Sequence, residues 1–361
     1  MTKVALITDT HWGVRNDSPI FLEYFNKCYS DFFFPELEKR NIKHCIHLGD
    51  LVDRRKYINI NTAHNLRKYF LEPLSERNIE THFIVGNHDE YYKDTNKVNF
   101  HQEFFADKYK NFYVYINPKE ININNTEILL IPWICKENED VSYDIIKKSS
   151  APICFGHLEI GGFEMDKGFI CEDGADHRIY SKFALVCSGH FHHKSSNNNI
   201  RYIGAFAEYT FSDYNDPRGF SIFDTETYDI EFIQNPYKMF HTIIYDDIKY
   251  AYTYEKIDSL KLDRFNNTYV KIVCANRNDS MMFEYFIEAL YKSSPADISI
   301  VESVNIINDN NEDDIIDQSE NTPTIINKYI DGLTLSIDNA RMKKIMKDIY
   351  SEAITLEETM E

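Results

Sequence analysis

Ile46-His47-Leu48-Gly49-Asp50-Leu51-Val52-Asp53-Arg54 reads as a buried strand that stops at a glycine and then presents two carboxylates. Glycine lets the backbone turn sharply, so Asp50 leaves the strand end pointing beyond the sheet. Four other apolar runs end in the same manner. Val4-Ala5-Leu6-Ile7 leads into Asp9-Thr10-His11, and His82-Phe83-Ile84-Val85 into Gly86-Asn87-His88-Asp89. Pro152-Ile153-Cys154-Phe155 leads into Gly156-His157, and Ala184-Leu185-Val186-Cys187 into Ser188-Gly189-His190-Phe191-His192. Five strand ends bearing Asp, Asn or His predict one metal site assembled from the first two-thirds of the chain.

The segments between these strands set the fold class. Residues 19–40 place Phe21, Phe25, Cys28 and Phe32 at helical spacing, and a second helix is expected from Thr62 to Arg77. The resulting β-α-β-α-β rhythm predicts a partly parallel sheet, whose ligands sit beyond the carboxyl ends of its strands. Shorter strands follow at 111–116, 120–123 and 127–132, with Asn124-Asn125 as a hairpin turn, and then at 152–155, 183–187, 200–204, 219–223 and 229–233. That is enough for a second sheet packed on the first, with helices outside both: an α/β core of four layers, α-β-β-α. The core is expected to occupy residues 1–236. A strand–helix–strand pattern over 269–301 predicts a small α/β cap domain spanning 237–304. Residues 305–322, rich in Asn, Asp and Glu, read as an acidic linker. Residues 323–361 read as a helical segment with Met342, Ile345, Met346, Ile349 and Ala353 on one face.

Composition narrows the class further. The chain has 361 residues, 43% of them hydrophobic and 14% aromatic, which fits a packed globular protein. No apolar run approaches the roughly 18 residues needed to span a bilayer, and the first residues lead into a strand rather than a signal peptide. Seven scattered cysteines with no Cys-x-x-Cys fit a reducing compartment. A soluble cytoplasmic protein is therefore expected. The net charge of −19 weighs against phosphate-driven binding of nucleic acid, although bound divalent cations offset such acidity locally.

The donors at the strand ends are carboxylates, imidazoles and one amide, with no thiolate. Such a set suits Mn²⁺, Fe²⁺ or Zn²⁺ in a catalytic rather than a structural role. Two ions sharing a carboxylate need seven or eight ligand atoms, which the five motifs supply. His47 and His82 lie inside strands and read as structural, and His193 is left unassigned. Arg54 is placed either on a substrate phosphate or in a surface ion pair.

The order D-x-H, G-D-x-x-D, G-N-H-D, G-H, G-H-x-H resembles the signature of the calcineurin-like metallophosphoesterases and covers residues 4–192. Gly156 to Phe163, and Arg201 to Ala205 leading to Asp216-Pro217-Arg218-Gly219-Phe220, are similar to the SbcD-type DNA repair nucleases, closest to their T-even-like phage branch. The resemblance implies one ion held by Asp9, His11, Asp50 and His192, and another by Asp50, Asn87, His157 and His190. It makes His88 catalytic and Asp53, where many cellular relatives have histidine, the residue that orients it. Ala205 stands where relatives often carry serine, which removes a hydroxyl contact to DNA.

Mn²⁺ is the first choice of metal by this resemblance, with Mg²⁺, Fe²⁺ or Zn²⁺ as alternatives. The implied activity is endo- and exonucleolytic cleavage of double- and single-stranded DNA. Arg54, His177 and Arg178 are expected to bind substrate, with Lys167 on the same 159–180 loop as the last two. The implied partners are an SbcC-type coiled-coil ATPase, docked through residues 323–361, and a second copy within a heterotetramer, joined through the helices at 19–40 and 62–77. No membrane association is expected. A phosphatase or cyclic-nucleotide phosphodiesterase on the same scaffold, or a scaffold with a decayed site, are the rival readings.

Overall fold

The computed structural model describes residues 2–166, 169–171, 174–302, 330, 341–346 and 349. Of the carboxyl-terminal segment, 341–346 are helical; the linker 305–322 and most of the segment 323–361 lie outside the described residues, as does Lys167. The chain divides into two compact units, one of Met1–Tyr209 with Asn215–Tyr237, the other of Thr210–Tyr214 with the chain from Lys238 onward.

Two six-stranded sheets build the first unit. In the first, Lys3–Ile7, His44–His47, Glu80–Ile84 and Phe112–Tyr115 run parallel in that spatial order. Gly219–Asp224 pairs antiparallel to Lys3–Ile7 and carries Ile230–Gln234 on its outer edge. In the second, Thr126–Ile131, Ile153–His157, Leu185–Gly189 and Ile200–Tyr202 are parallel, flanked by antiparallel Lys119–Ile123 and Ser195–Asn197.

Alternate residues of the strands meet between the sheets. Val4, Leu6, Ile46, Ile84 and Phe223 from one sheet and Ile128, Leu130, Ile153, Phe155 and Leu185 from the other form a single buried cluster. The opposite face of the second sheet packs Leu129, Cys154, Val186 and Tyr202 with Ile146 of the helix Glu139–Lys148. The opposite face of the first sheet is covered by aromatics, with Tyr29 stacked on Trp12 and Phe206 and tilted against Phe70. Helices thus lie outside both sheets, the four-layer α/β arrangement expected from the sequence. All seven cysteines are free and buried.

The two long helices are less regular than their spacing predicts. Each contains a widened π turn, at Tyr29–Phe33 and Arg67–Leu71. Each π turn is followed directly by a proline near the start of the next α-helical stretch, Pro35 and Pro73. Proline has no N–H and its ring clashes with the carbonyl four residues earlier, and the extra residue in the turn relieves both.

The second unit holds a parallel sheet of Phe240–Asp246, Tyr269–Asn276 and Asp297–Glu302. The helix Ser280–Lys292 is capped by the Asp279 side chain, which accepts from the Met282 amide, and buries Phe283, Phe286 and Leu290 against Tyr245, Val270 and Ile272.

Candidate metal centre

Five parallel strands release their chains at the carboxyl ends of the two sheets, and the sequence-predicted ligands converge there. Main-chain bonds fix the crossing of the first two loops. The Asp9 amide donates to Gly49 O (3.0 Å), and the Thr10 and His11 amides donate to Asp50 O (2.9 and 3.2 Å). Asp9, His11 and Asp50 all adopt positive φ (49°, 42° and 55°), a conformation non-glycine residues hold only where the surroundings impose it.

Three groups of metal-ligating side chains result, the third of them His11, Asp53 and His88, whose donor atoms also lie within 4.8 Å of one another. Asp9, His11 and His192 place one donor atom each within 4.8 Å of the others, and so do Asp50, His157 and His190. In the first, His11 Nε2 and His192 Nε2 approach to 3.0 Å. In the second, Asn87 Oδ1 lies 3.0 Å from both His157 Nε2 and His190 Nδ1. Asp50 joins them: its Oδ2 is 3.2 Å from His157 Nε2 and 3.9 Å from His11 Nε2. Its Oδ1 accepts from the His88 amide at 2.8 Å, which fixes the plane of the carboxylate.

The tautomer of His157 follows from its contacts. Nδ1 meets Leu48 O at 2.7 Å, and a carbonyl only accepts, so Nδ1 carries a proton and Nε2 is the atom turned toward Asp50 and Asn87, able to ligate once its own proton leaves. Gly49 is required for this approach, since a Cβ there would stand 2.4 Å from His157 Nδ1. Gly86 is required likewise, because its Cβ would fall 2.2 Å from Asp50 Oδ1.

The electrostatics suit cations. Asp9 and Asp50 are at most 2% exposed. Burial raises the Asp9 carboxyl, whereas for Asp50 burial is outweighed by His157 and His88 and the carboxyl is held well below its ordinary value. Burial and the neighbouring imidazoles push His11 well down and His190 to about 3, so both are neutral and fit to ligate. For His157 burial opposes charge, but Asp50 prevails and lifts it to about 9, so a proton and a divalent ion compete for the same pair. Buried carboxylates facing imidazole nitrogens and an amide oxygen fit two divalent ions of the Mn²⁺, Fe²⁺ or Zn²⁺ kind.

His88 stands beside these groups, its ring 4.9 Å from that of His11. Sequence reasoning made Asp53 the residue that orients His88. The hydrogen bond is made by the Asp53 main-chain oxygen, 2.6 Å from His88 Nδ1, while the carboxylate lies 3.6 Å from His11 Nδ1 and within 4.8 Å of a His88 ring nitrogen. The loop turns immediately after Val52, which brings the peptide rather than the side chain under His88. Burial opposes charge on His88, yet Asp50 and Asp53 outweigh it and hold the imidazole above its ordinary range.

Two supports carried no assignment in the sequence reading. Asp89 is 1% exposed and accepts from the amides of Asp50, Leu51, Val52 and Gly86 at 2.8–3.2 Å, so one carboxylate holds both metal loops. Burial and Asp50 push it up to about 7 against these amides. Asp216 and Arg218, both 2% exposed, pair at 3.0 Å. Arg218 donates to His192 O, and Asp216 accepts from His193 at 3.0 Å, so the pair fixes the 190–193 loop. The visible signals were the fourth position of Gly86-Asn87-His88-Asp89 and the Asp216-Pro217-Arg218 run.

The predicted substrate residues are not brought together. Arg54 is bound to Asp17 at 3.0 Å. His177 and Arg178 line a cavity with Phe163, Ser181, Asn197, Asn198, Asn199 and Ile200. Ile200 pairs with Val186, near the amino end of Leu185–Gly189, whereas His190 follows its carboxyl end, so these residues lie toward the other end of the sheet. Arg178 is also held by Asp176, at 2.8 Å through Nε.

The family model described as calcineurin-like phosphoesterase matches residues 2–194. Exonuclease subunit 1 of Enterobacteria phage T4 is 33% identical over 358 residues, covering 97% of this chain and 99% of that one. The SbcD component of the SbcCD nuclease of Staphylococcus saprophyticus is 24% identical over 206 residues, 48% of this chain and 53% of that one. Among solved structures, GAP50, the anchor in the inner membrane complex of Plasmodium, matches 66% of this chain and 90% of its own at 11% identity and a TM-score of 0.39.

Proposed function

This chain belongs to the calcineurin-like phosphoesterases and is a metal-dependent phosphodiesterase of the nuclease type, and from that premise we propose that it is the Mn²⁺-dependent DNA endo- and exonuclease subunit of a recombination and repair complex. The observation that carries this reading is the position of Asp50 Oδ2 between His157 Nε2 at 3.2 Å and His11 Nε2 at 3.9 Å. On this reading Asp9, His11, Asp50 and His192 hold one ion, and Asp50, Asn87, His157 and His190 the other.

Divalent ions held there supply Lewis acidity and a water nucleophile at neutral pH. The protein's own part is orientation and proton handling. His88 donates from Nδ1 to the Asp53 carbonyl, which leaves Nε2 for substrate. A protonated His88 stabilises charge on a non-bridging phosphoryl oxygen and donates to the leaving 3′-oxygen. Asp53, whose carboxylate stands behind His11, acts as a positioning residue for that ligand.

The same reading assigns DNA contact to residues 237–304 and docking on an SbcC-type coiled-coil ATPase to 323–361. The helices at 19–40 and 62–77 join two copies. Its support is the pair of relatives, both named as subunits of nucleases.

The test is cleavage of labelled duplex and single-stranded DNA, with a small phosphodiester as control, in Mn²⁺. His88→Asn is expected to bind Mn²⁺ like the parent and to lose about 10²–10⁴-fold in cleavage, whereas Asp50→Ala loses both. Parental cleavage by His88→Asn removes the role given to His88. Hydrolysis of the small ester alone assigns the chain to a phosphatase-like activity.

A further inference from the structure

The two loops that meet at His88 carry most of the exposed aromatic surface of the first unit. Among its described residues five aromatic side chains are exposed, Tyr57, Tyr91, Tyr92, Phe104 and Tyr113, and the first three of these lie on the two loops. Tyr91 and Tyr92 belong to the hairpin formed by Glu90–Tyr92 and Thr95–Asn99, which begins two residues after His88. Their rings meet edge to face with centroids 4.7 Å apart and are 42% and 52% exposed.

The root of the hairpin is fixed to the centre. The Phe100 amide donates to Asp89 O (2.8 Å), and Asn96 Nδ2 donates to the carbonyl of Trp133 (2.9 Å), whose ring lies 5.0 Å from His190. The loop bearing Tyr57 is fixed beside it: the Asp53 carbonyl holds His88, and Arg55 Nε donates to Asn87 O at 2.6 Å. Rigid roots at the centre thus present tyrosine rings to solvent, next to the exposed Lys56 and Lys93.

Physical chemistry selects the occupant. With a net charge of −19, attraction of the phosphate backbone supplies little affinity. Stacking of a base on an aromatic ring is insensitive to charge and contributes about tenfold or more per base. Base pairs inside a continuous duplex hide their faces from such rings, and only unpaired nucleotides offer them.

We propose that Tyr91 and Tyr92, with Tyr57 on the neighbouring loop, form a stacking platform for unpaired bases flanking the phosphodiester at the metal centre. The preferred substrates are then single-stranded or frayed DNA. This rests on the nuclease reading above and names the residues that would hold its unpaired strand.

The test uses the full chain. In EDTA, Tyr92→Trp is expected to lose indole emission on addition of short oligothymidylate and to keep it with an abasic oligomer of equal length. The double variant Tyr91→Ala/Tyr92→Ala is expected to bind the oligothymidylate about tenfold more weakly or worse. It should hydrolyse bis(p-nitrophenyl) phosphate in Mn²⁺ at the parental rate, and its melting temperature should be unchanged. Equal affinity of parent and double variant, or equal quenching by the abasic oligomer, overturns the platform while parental DNA cleavage leaves the nuclease reading standing. Failure of the parent to bind or cleave any DNA, with the small ester still hydrolysed, overturns both.

Discussion

Replacing Asp89 with asparagine tests how the metal loops are held. The carboxylate uses Oδ1 for the Leu51 and Val52 amides and Oδ2 for those of Asp50 and Gly86. Asparagine keeps one accepting oxygen. In either orientation its NH₂ faces two buried amides that can no longer donate. Each orphaned amide costs about 1–3 kcal/mol, so the substitution costs about 2–6 kcal/mol. That is a large part of a stability of about 5–15 kcal/mol. The melting temperature should fall by on the order of 10 °C. Mn²⁺ affinity should fall as well, because either orientation orphans at least one amide of the 50–52 loop, which carries Asp50, the carboxylate common to both ligand groups. Thermal melts in EDTA and Mn²⁺, with Mn²⁺ titration by calorimetry, read both effects. An Asp89→Asn protein that melts and titrates with the parent refutes the reasoning.

Substitutions at two further positions separate the supports of the site. Arg218→Ala leaves Asp216 as a buried charge without its guanidinium partner and should destabilise by about 3–5 kcal/mol; Arg218→Lys should fold, bind Mn²⁺ more weakly, and recover cleavage as Mn²⁺ is raised, which a metal titration of activity checks. Asp53→Ala keeps the main-chain oxygen that holds His88 but removes the carboxylate beside His11. It should raise the Mn²⁺ concentration needed for half-maximal rate about 10–100-fold with a smaller change in saturated rate, the loss usual for a group behind a metal ligand; an unchanged metal requirement with a collapsed rate would return the orienting role to the carboxylate.

The strands that carry ligands were legible because each is a short apolar run closed by glycine or a polar turn. Lys3–Ile7, His44–His47, Glu80–Ile84, Ile153–His157 and Leu185–Gly189 all stand where those runs are. Pattern at this scale is local, and burial on both faces leaves the same mark wherever the strand lies. Side-chain direction is not local. The sequence places Asp53 and His88 in neighbouring motifs, but only the folded loop shows that the Asp53 carbonyl makes the hydrogen bond to His88. Sequence distance also says nothing about which end of a sheet a loop occupies, so only the fold shows His177 and Arg178 toward the end away from His190. The π turns before Pro35 and Pro73 were hidden by helical spacing that continues on both sides of them.

The central claim is that two ions share Asp50. Anomalous diffraction from crystals grown with Mn²⁺ tests it directly. The account predicts two peaks about 3.5–4 Å apart, with Asp50 Oδ2 between them, Asp9, His11 and His192 around one and Asn87, His157 and His190 around the other. A single peak, or an Asp53 oxygen at bonding distance in place of Asp50, would contradict it.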